Sequence, residues 1–91
     1  MSPQKPVKKL FKIGEVAEYS GLSRQTVNYY TALGILHEAA RTKAGHRLYD
    51  EKVFDRIERL RELKASRTLH EIAELLDQEA RQETNTDAKD V

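Results

Sequence analysis

The chain has 91 residues, of which 38% are hydrophobic and 34% are charged, and its net charge is +1 at neutral pH. This length predicts a single domain with a small core and little room for a deep substrate cavity. The lack of cysteine excludes disulfides and thiolate metal sites, and no apolar run approaches the ~18 residues of a membrane span, so a cytoplasmic protein is expected.

The N-terminal residues 1–10 predict a flexible basic arm, because they hold both prolines and three lysines without periodicity. They also lack the apolar core of a signal peptide. A first helix is predicted from about Lys12 to Ser20, and Gly21 follows where a left-handed helix terminator belongs. One face of this helix repeats at i, i+3, i+4 and i+7, through Ile13, Val16, Ala17 and Ser20.

The second predicted helix, residues 23–34, has an unusual outer face. Ser23 is a suitable N-cap and Gly34 a suitable terminator. Val27 and Tyr30 are three residues apart and would face the core. The opposite face carries groups that can form hydrogen bonds, rather than the Glu and Lys of an ordinary solvated face: Arg24, Gln25, Asn28 and Tyr29.

Residues 37–49 predict a two-stranded β-hairpin. Its turn is centred on Ala44 and Gly45, and Leu48 and Tyr49 after the turn would point to opposite faces. The hairpin is basic on both sides of the turn, through Arg41, Lys43, His46 and Arg47. A basic hairpin beside a polar helix face indicates a shared ligand, although each residue alone could be a solvated surface residue.

Two further helices complete the predicted core. Asp50 would cap a third helix running to about Ala65, and Thr68 with Glu71 forms a capping box for the fourth. The apolar signal stops after Leu76, so residues 77–91 are predicted to be an acidic, disordered tail. Up to Arg67 the chain has 14 basic and 8 acidic residues, against 2 and 7 afterwards, and such a basic body favours a polyanionic partner.

A helix, a short turn, a second helix and a hairpin together predict a winged helix-turn-helix. The second helix of such a unit lies in the DNA major groove with its N-terminal residues at the base edges. Arg pairs with guanine and Gln or Asn with adenine, while a tyrosine hydroxyl can reach a phosphate. Tyr30 has two interpretations, since its phase with Val27 also fits a core position.

The stretches FKIGEVAEYSGLSRQTVNYYTALGIL and GHRLYD resemble the N-terminal domain of MerR-type transcription regulators, over about residues 11–76. The resemblance implies a mainly α fold, a four-helix winged helix-turn-helix with a small two-stranded wing. It implies that Arg24 and Gln25 face the groove, that Tyr29 or Tyr30 contacts phosphates, and that Arg47 with neighbouring wing residues contacts the flanking backbone.

The sequence departs from that family pattern at three places. Asn28 replaces an arginine in the recognition helix, Glu38 replaces a proline before the wing, and Ser66 and Arg67 replace a Gly-aromatic pair. After Leu76 the long dimerising helix and effector domain of the family are not expected. We therefore expect a monomer in solution that could pair on DNA, with no small-molecule effector, cofactor or metal.

The leading hypothesis is a sequence-specific regulator that binds double-stranded DNA and meets RNA polymerase at a promoter. An excisionase-like recombination accessory or a chromosome-architecture protein is an alternative that also binds DNA. A protein-interaction adaptor is an alternative of another class. An enzyme is not expected, because the sequence has no Gly-rich phosphate loop, no nucleophile–base motif and no paired carboxylates in a plausible cleft.

Overall fold

The computed structural model describes the backbone of residues 9–89 and the side chains of residues 9–82. Most of the predicted N-terminal arm therefore lies outside the described residues, as does the end of the predicted tail. Four helices and three short strands follow one another along the chain: β1 (Phe11–Lys12), α1 (Ile13–Ser20), α2 (Arg24–Ala32), β2 (Ala40–Arg41), β3 (Arg47–Tyr49), α3 (Lys52–Leu63) and α4 (Leu69–Lys89).

The helix ends follow from local sequence signals. The Ser23 hydroxyl accepts a hydrogen bond from the Thr26 backbone N–H at 3.0 Å, which caps α2. Gly21 has φ +80° after α1, a left-handed conformation that residues with a Cβ rarely adopt. The predicted capping box of α4 is present, because Thr68 and Glu71 exchange bonds of 2.9 and 3.1 Å. These caps are confirmed.

The sheet contains one more strand than the sequence predicts. Its order is β1-β3-β2, and both pairs are antiparallel. β2 and β3 form the predicted hairpin, with Arg41 opposite Arg47. The additional strand pairs Phe11 with Tyr49, so the predicted start of the first helix at Lys12 is corrected to Ile13. A two-residue strand has no periodicity, and only its distant partner defines it.

The core lies between the four helices and the buried face of the sheet. Tyr49 is fully buried, and its hydroxyl lies 2.8 Å from that of Thr31 in α2. Leu33, directly after α2, is 40% exposed. The buried residues include most of the predicted helix stripes: Phe11, Val16, Val27, Tyr30, Ile35, Leu36, Tyr49, Val53, Ile57, Leu60, Leu63, Ile72, Ala73 and Leu76.

Helix α4 continues past Leu76 to Lys89, where the sequence predicts a fraying helix end followed by a tail. Two ion pairs join its next turn to α3: Arg56 Nη2 lies 3.1 Å from Asp77 Oδ1, and Arg59 Nη2 lies 2.9 Å from Glu79 Oε2. Apolar periodicity cannot detect a helix that is held by polar side chains. The division of the chain at Leu76 into a domain and a tail stays a prediction.

Arg56 also connects α3 to the segment before the wing. Its Nε donates to the Ile35 carbonyl oxygen at 2.6 Å, and its Nη1 lies 3.4 Å from the Leu76 carbonyl oxygen.

Between residues 9 and 89, no helix is both long and apolar enough to cross a membrane. Among the side chains described, those of residues 9–82, no group of three His or carboxylate residues is arranged to hold a metal ion.

Candidate nucleic-acid interface

Helix α2 has one buried face and one hydrogen-bonding face. Val27 is fully buried, which fixes the rotation of the helix about its axis. The side chains that the sequence predicts to face outward are exposed on the other side: Arg24, Gln25, Asn28 and Tyr29. Within this set the model therefore agrees with the predicted phase, and four different hydrogen-bonding groups share one exposed face.

Arg24, the first residue of α2, is placed against the start of α1. A Cβ built on Gly14 would lie 2.7 Å from Arg24 Nη2 and 3.1 Å from Cζ. Only a glycine allows the guanidinium to approach the α1 backbone this closely. Arg24 therefore lies against α1 at the end of the exposed face, where its N–H groups can bind an acceptor.

The two adjacent tyrosines of α2 have different surroundings. Tyr29 is 54% exposed and continues the outward face. Tyr30 is only 5% exposed, and its hydroxyl lies 3.2 Å from Nζ of Lys64, directly after α3. The structure corrects the placement of Tyr30 from the outward set to the core, as its phase with Val27 allowed. Tyr29 alone extends the exposed face toward a ligand.

The wing presents basic side chains beside α2. Gly45 has φ +89° and forms the turn between the strands. Lys43 and His46 are exposed at its tip, and Arg41 is half exposed on β2. The His46 backbone N–H donates to the Thr42 hydroxyl at 3.1 Å, which closes the loop. The tip is therefore a short, closed loop that carries exposed basic residues.

Glu38 holds the two arginines that face each other across the hairpin. Arg41 donates to its carboxylate at 2.5 and 3.0 Å, and Arg47 Nε donates at 3.0 Å. The hydrogen bond from Arg41, followed by the charges of both arginines, holds the pKa of Glu38 below its usual value. Sequence reasoning assigned Glu38 no role, although its position in place of a family proline was a signal.

Arg47 extends from the wing to the recognition helix. Its Nη1 donates to Asn28 Oδ1 at 2.7 Å. The sequence predicts both residues as separate ligand contacts, whereas the structure brings them together. The wing is therefore connected to α2 by side chains as well as by the chain between them.

An open groove lies between the wing and the N-terminal ends of α1 and α2. Its cations are Lys12, Arg24 and Arg47, and its carboxylates are Glu15 and Glu18. The groove is partly open to solvent. We call this groove, the outward face of α2 and the basic side chains of the wing together the α2–wing surface.

The arrangement of α1, α2 and the wing is that of a known family of proteins. The family model described as MerR HTH family regulatory protein matches residues 11–79. The chain belongs to the MerR family. It is 42% identical over 69 residues to the mercuric resistance operon regulatory protein of Bacillus cereus, covering 72% of this chain and 51% of that protein. The chain thus spans about half the length of this MerR relative.

Solved structures of MerR proteins have the same fold. MtaN, the N-terminus of the Bacillus subtilis multidrug transporter activator, matches with a TM-score of 0.67 and 29% identity, covering 88% of this chain and 85% of MtaN. HiNmlR, a MerR family regulator lacking the sensor domain and bound to promoter DNA, matches with a TM-score of 0.66 and 21% identity. The match covers 89% of this chain and 76% of HiNmlR. The predicted winged helix-turn-helix fold is confirmed.

Proposed function

We propose that this chain is a transcription regulator that binds double-stranded DNA at specific sequences. The α2–wing surface carries the proposal. It combines an exposed helix face of four hydrogen-bonding side chains with a basic hairpin that is fixed to the same helix. An exposed helix of this kind fits the major groove, whose base pairs each offer a distinct pattern of donors and acceptors.

The roles within the surface follow from side-chain chemistry and position. Arg24 and Gln25, in the first turn of α2, would reach base edges, with Arg24 suited to guanine O6 and N7. Tyr29 is one turn further and suits a phosphate. The wing would lie on the flanking backbone, with its basic residues next to phosphates: Arg41, Lys43, His46 and the partly buried Arg47.

Membership of the MerR family supports this function. The Bacillus cereus relative is a regulatory protein of a resistance operon, and HiNmlR is a regulator whose structure contains promoter DNA. A regulator bound at a promoter lies next to RNA polymerase, so we propose the polymerase as its second partner. We also propose that the protein is located in the cytoplasm. We propose no enzymatic activity, because the matching family is one of regulatory proteins.

We also propose that the chain is a monomer in free solution and pairs, if at all, on DNA. A stable dimer interface usually buries more than about 1,000 Å² around an apolar centre. The polar residues 77–82 of α4 include one apolar side chain, Ala80, and two of them form ion pairs with α3. That part of the helix therefore lacks an apolar seam.

Binding to selected and random duplexes at several salt concentrations tests the function. We expect a selected site to bind about 10³-fold more tightly than random DNA, with an affinity that falls steeply as salt rises. Equal affinity for all duplexes would support an architectural or recombination-accessory role instead. Absence of DNA binding at low salt would support a protein-interaction adaptor.

A further inference from the structure

The contact between Arg47 and Asn28 determines how the Asn28 amide is oriented. An arginine side chain has N–H donors and no acceptor, so the amide atom that faces it must be the oxygen. Oδ1 accepts from Arg47 Nη1 at 2.7 Å, and Asn28 is itself exposed on α2. Because the amide oxygen points to the wing, the Nδ2 amino group points away from Arg47.

Glu38 keeps Arg47 in the place where it makes this contact. Arg41 and Arg47 lie directly opposite each other in the hairpin, and two like charges in that register repel. The Glu38 carboxylate lies between them and accepts from both, at 28% exposure of its own side chain. Two of the five N–H groups of Arg47 are used by Glu38 and Asn28, and three remain for a phosphate.

This geometry changes what Asn28 can recognise. An asparagine that reads adenine uses its oxygen for the N6 amino group and its nitrogen for N7 at the same time. Here the oxygen already accepts a charge-assisted bond, which also strengthens the amino group as a donor. The guanidinium beside it would repel the partly positive amino group of adenine and attract the O6 and N7 acceptors of guanine.

We propose that Glu38 and Arg47 are positioning residues for Asn28, and that Asn28 consequently selects guanine over adenine at the base pair it faces. The inference rests on the proposed function, because it names the specificity of the same DNA-binding surface. Two of the departures from the MerR pattern, Asn28 and Glu38, are the two side chains that bind Arg47. The wing thereby contributes to sequence reading through the recognition helix.

The experiment begins by finding the base pair that Asn28 reads. Binding sites are selected from random duplexes with the wild-type chain and with Asn28→Ala, and the position whose preference is lost is the one that Asn28 reads. Duplexes with guanine or adenine at that position are then titrated with the wild type, Arg47→Met and Arg41→Met. Arg41→Met is the matched control, because it removes the same charge from the same rung of the hairpin and keeps Arg47, the arginine that is hydrogen-bonded to Asn28.

We expect the wild type to prefer guanine at that position by about tenfold. Arg47→Met should reduce or reverse this ratio, whereas Arg41→Met should keep it, although both variants lose affinity for every duplex. Glu38→Ala, which leaves Arg47 in the chain, should shift the ratio in the same direction and replaces Arg47→Met if that variant fails to fold. An unchanged ratio in both, or a wild-type preference for adenine, overturns the inference. A wild type without any preferred site contradicts the proposed function instead.

Discussion

The guanidinium of Arg24 lies directly against Gly14, so close that a Cβ at Gly14 would be 2.7 Å from Nη2. The atoms involved are the far end of a flexible side chain, which can move without disturbing the backbone. Gly14 has no positive φ that only glycine tolerates. A side chain at position 14 can therefore be accommodated if the Arg24 guanidinium moves away. A substitution there should affect ligand binding without affecting folding.

Gly14→Ala should leave the fold intact and weaken DNA binding. Alanine favours a helix over glycine by up to about 1 kcal/mol, so the melting temperature should stay the same or rise slightly. The methyl group displaces the Arg24 guanidinium, so affinity for the selected site should fall while affinity for random DNA changes less. Calorimetry and titration of both duplexes measure the two effects, and unchanged affinity would mean that Arg24 binds DNA from another position.

Arg24→Ala should cost about 1–3 kcal/mol at the selected site and relax the preference at one base pair. The reason is the exposed position of Arg24 in the first turn of α2. Site selection with the variant identifies the base pair at which the sequence preference is lost. Equal weakening on selected and random duplexes would indicate a phosphate contact instead.

Lys43→Ala should weaken binding to all duplexes by the same factor. Lys43 is exposed at the wing tip, on the hairpin rather than on α2, so we expect it to neutralise a phosphate rather than to read a base. The slope of log affinity against log salt should become shallower by about one unit. Titrations at four salt concentrations give the slope. A changed base preference would place Lys43 in a DNA groove.

Glu71→Gln should destabilise the chain at neutral pH and have less effect in acid. The hydrogen bond from the Thr68 backbone holds the pKa of Glu71 below its ordinary value of 4.5. A carboxylate of this kind stabilises the fold above pH 4.5, and the contribution is lost as the pH falls through its lowered pKa. The difference in melting temperature between the wild type and Glu71→Gln should shrink as the pH is lowered. The exposed control Glu18→Gln should not show this pH-dependent difference.

Sedimentation at micromolar concentration without DNA should give the mass of one chain. The reason is the lack of an apolar seam on residues 77–82 of α4, together with the use of the other helix stripes in the core. A site containing two half-sites should then bind two chains. A dimer in the absence of DNA would mean that an interface exists which the apolar pattern does not reveal.

Local signals made much of the fold predictable from the sequence. Caps such as Ser23 and terminators such as Gly21 act on residues within one helical turn, so their effects can be inferred from neighbouring letters. The outward placement of Arg24 and Tyr29 followed from the buried phase of Val27. The resemblance to the MerR family added the order of these elements and the existence of the wing.

The remaining features depend on partners far apart in the chain. The strand at Phe11 exists because of Tyr49, and the extension of α4 is supported by pairs such as Arg59 with Glu79. Likewise, the contact between Asn28 and Arg47 joins residues that periodicity treats separately. Polar contacts at such distances have no period in the sequence, so only the folded chain brings them together.

The position of Arg56 has a mechanical consequence. One side chain holds the Ile35 carbonyl, just before the wing, and Asp77 on α4. Because the Arg56 guanidinium is a rigid planar group bonded to both segments, a rotation of α4 about its axis would displace the segment that precedes the wing. We expect α4 and the base of the wing to move as coupled bodies, so that torque applied at one end of the domain reaches the surface at the other.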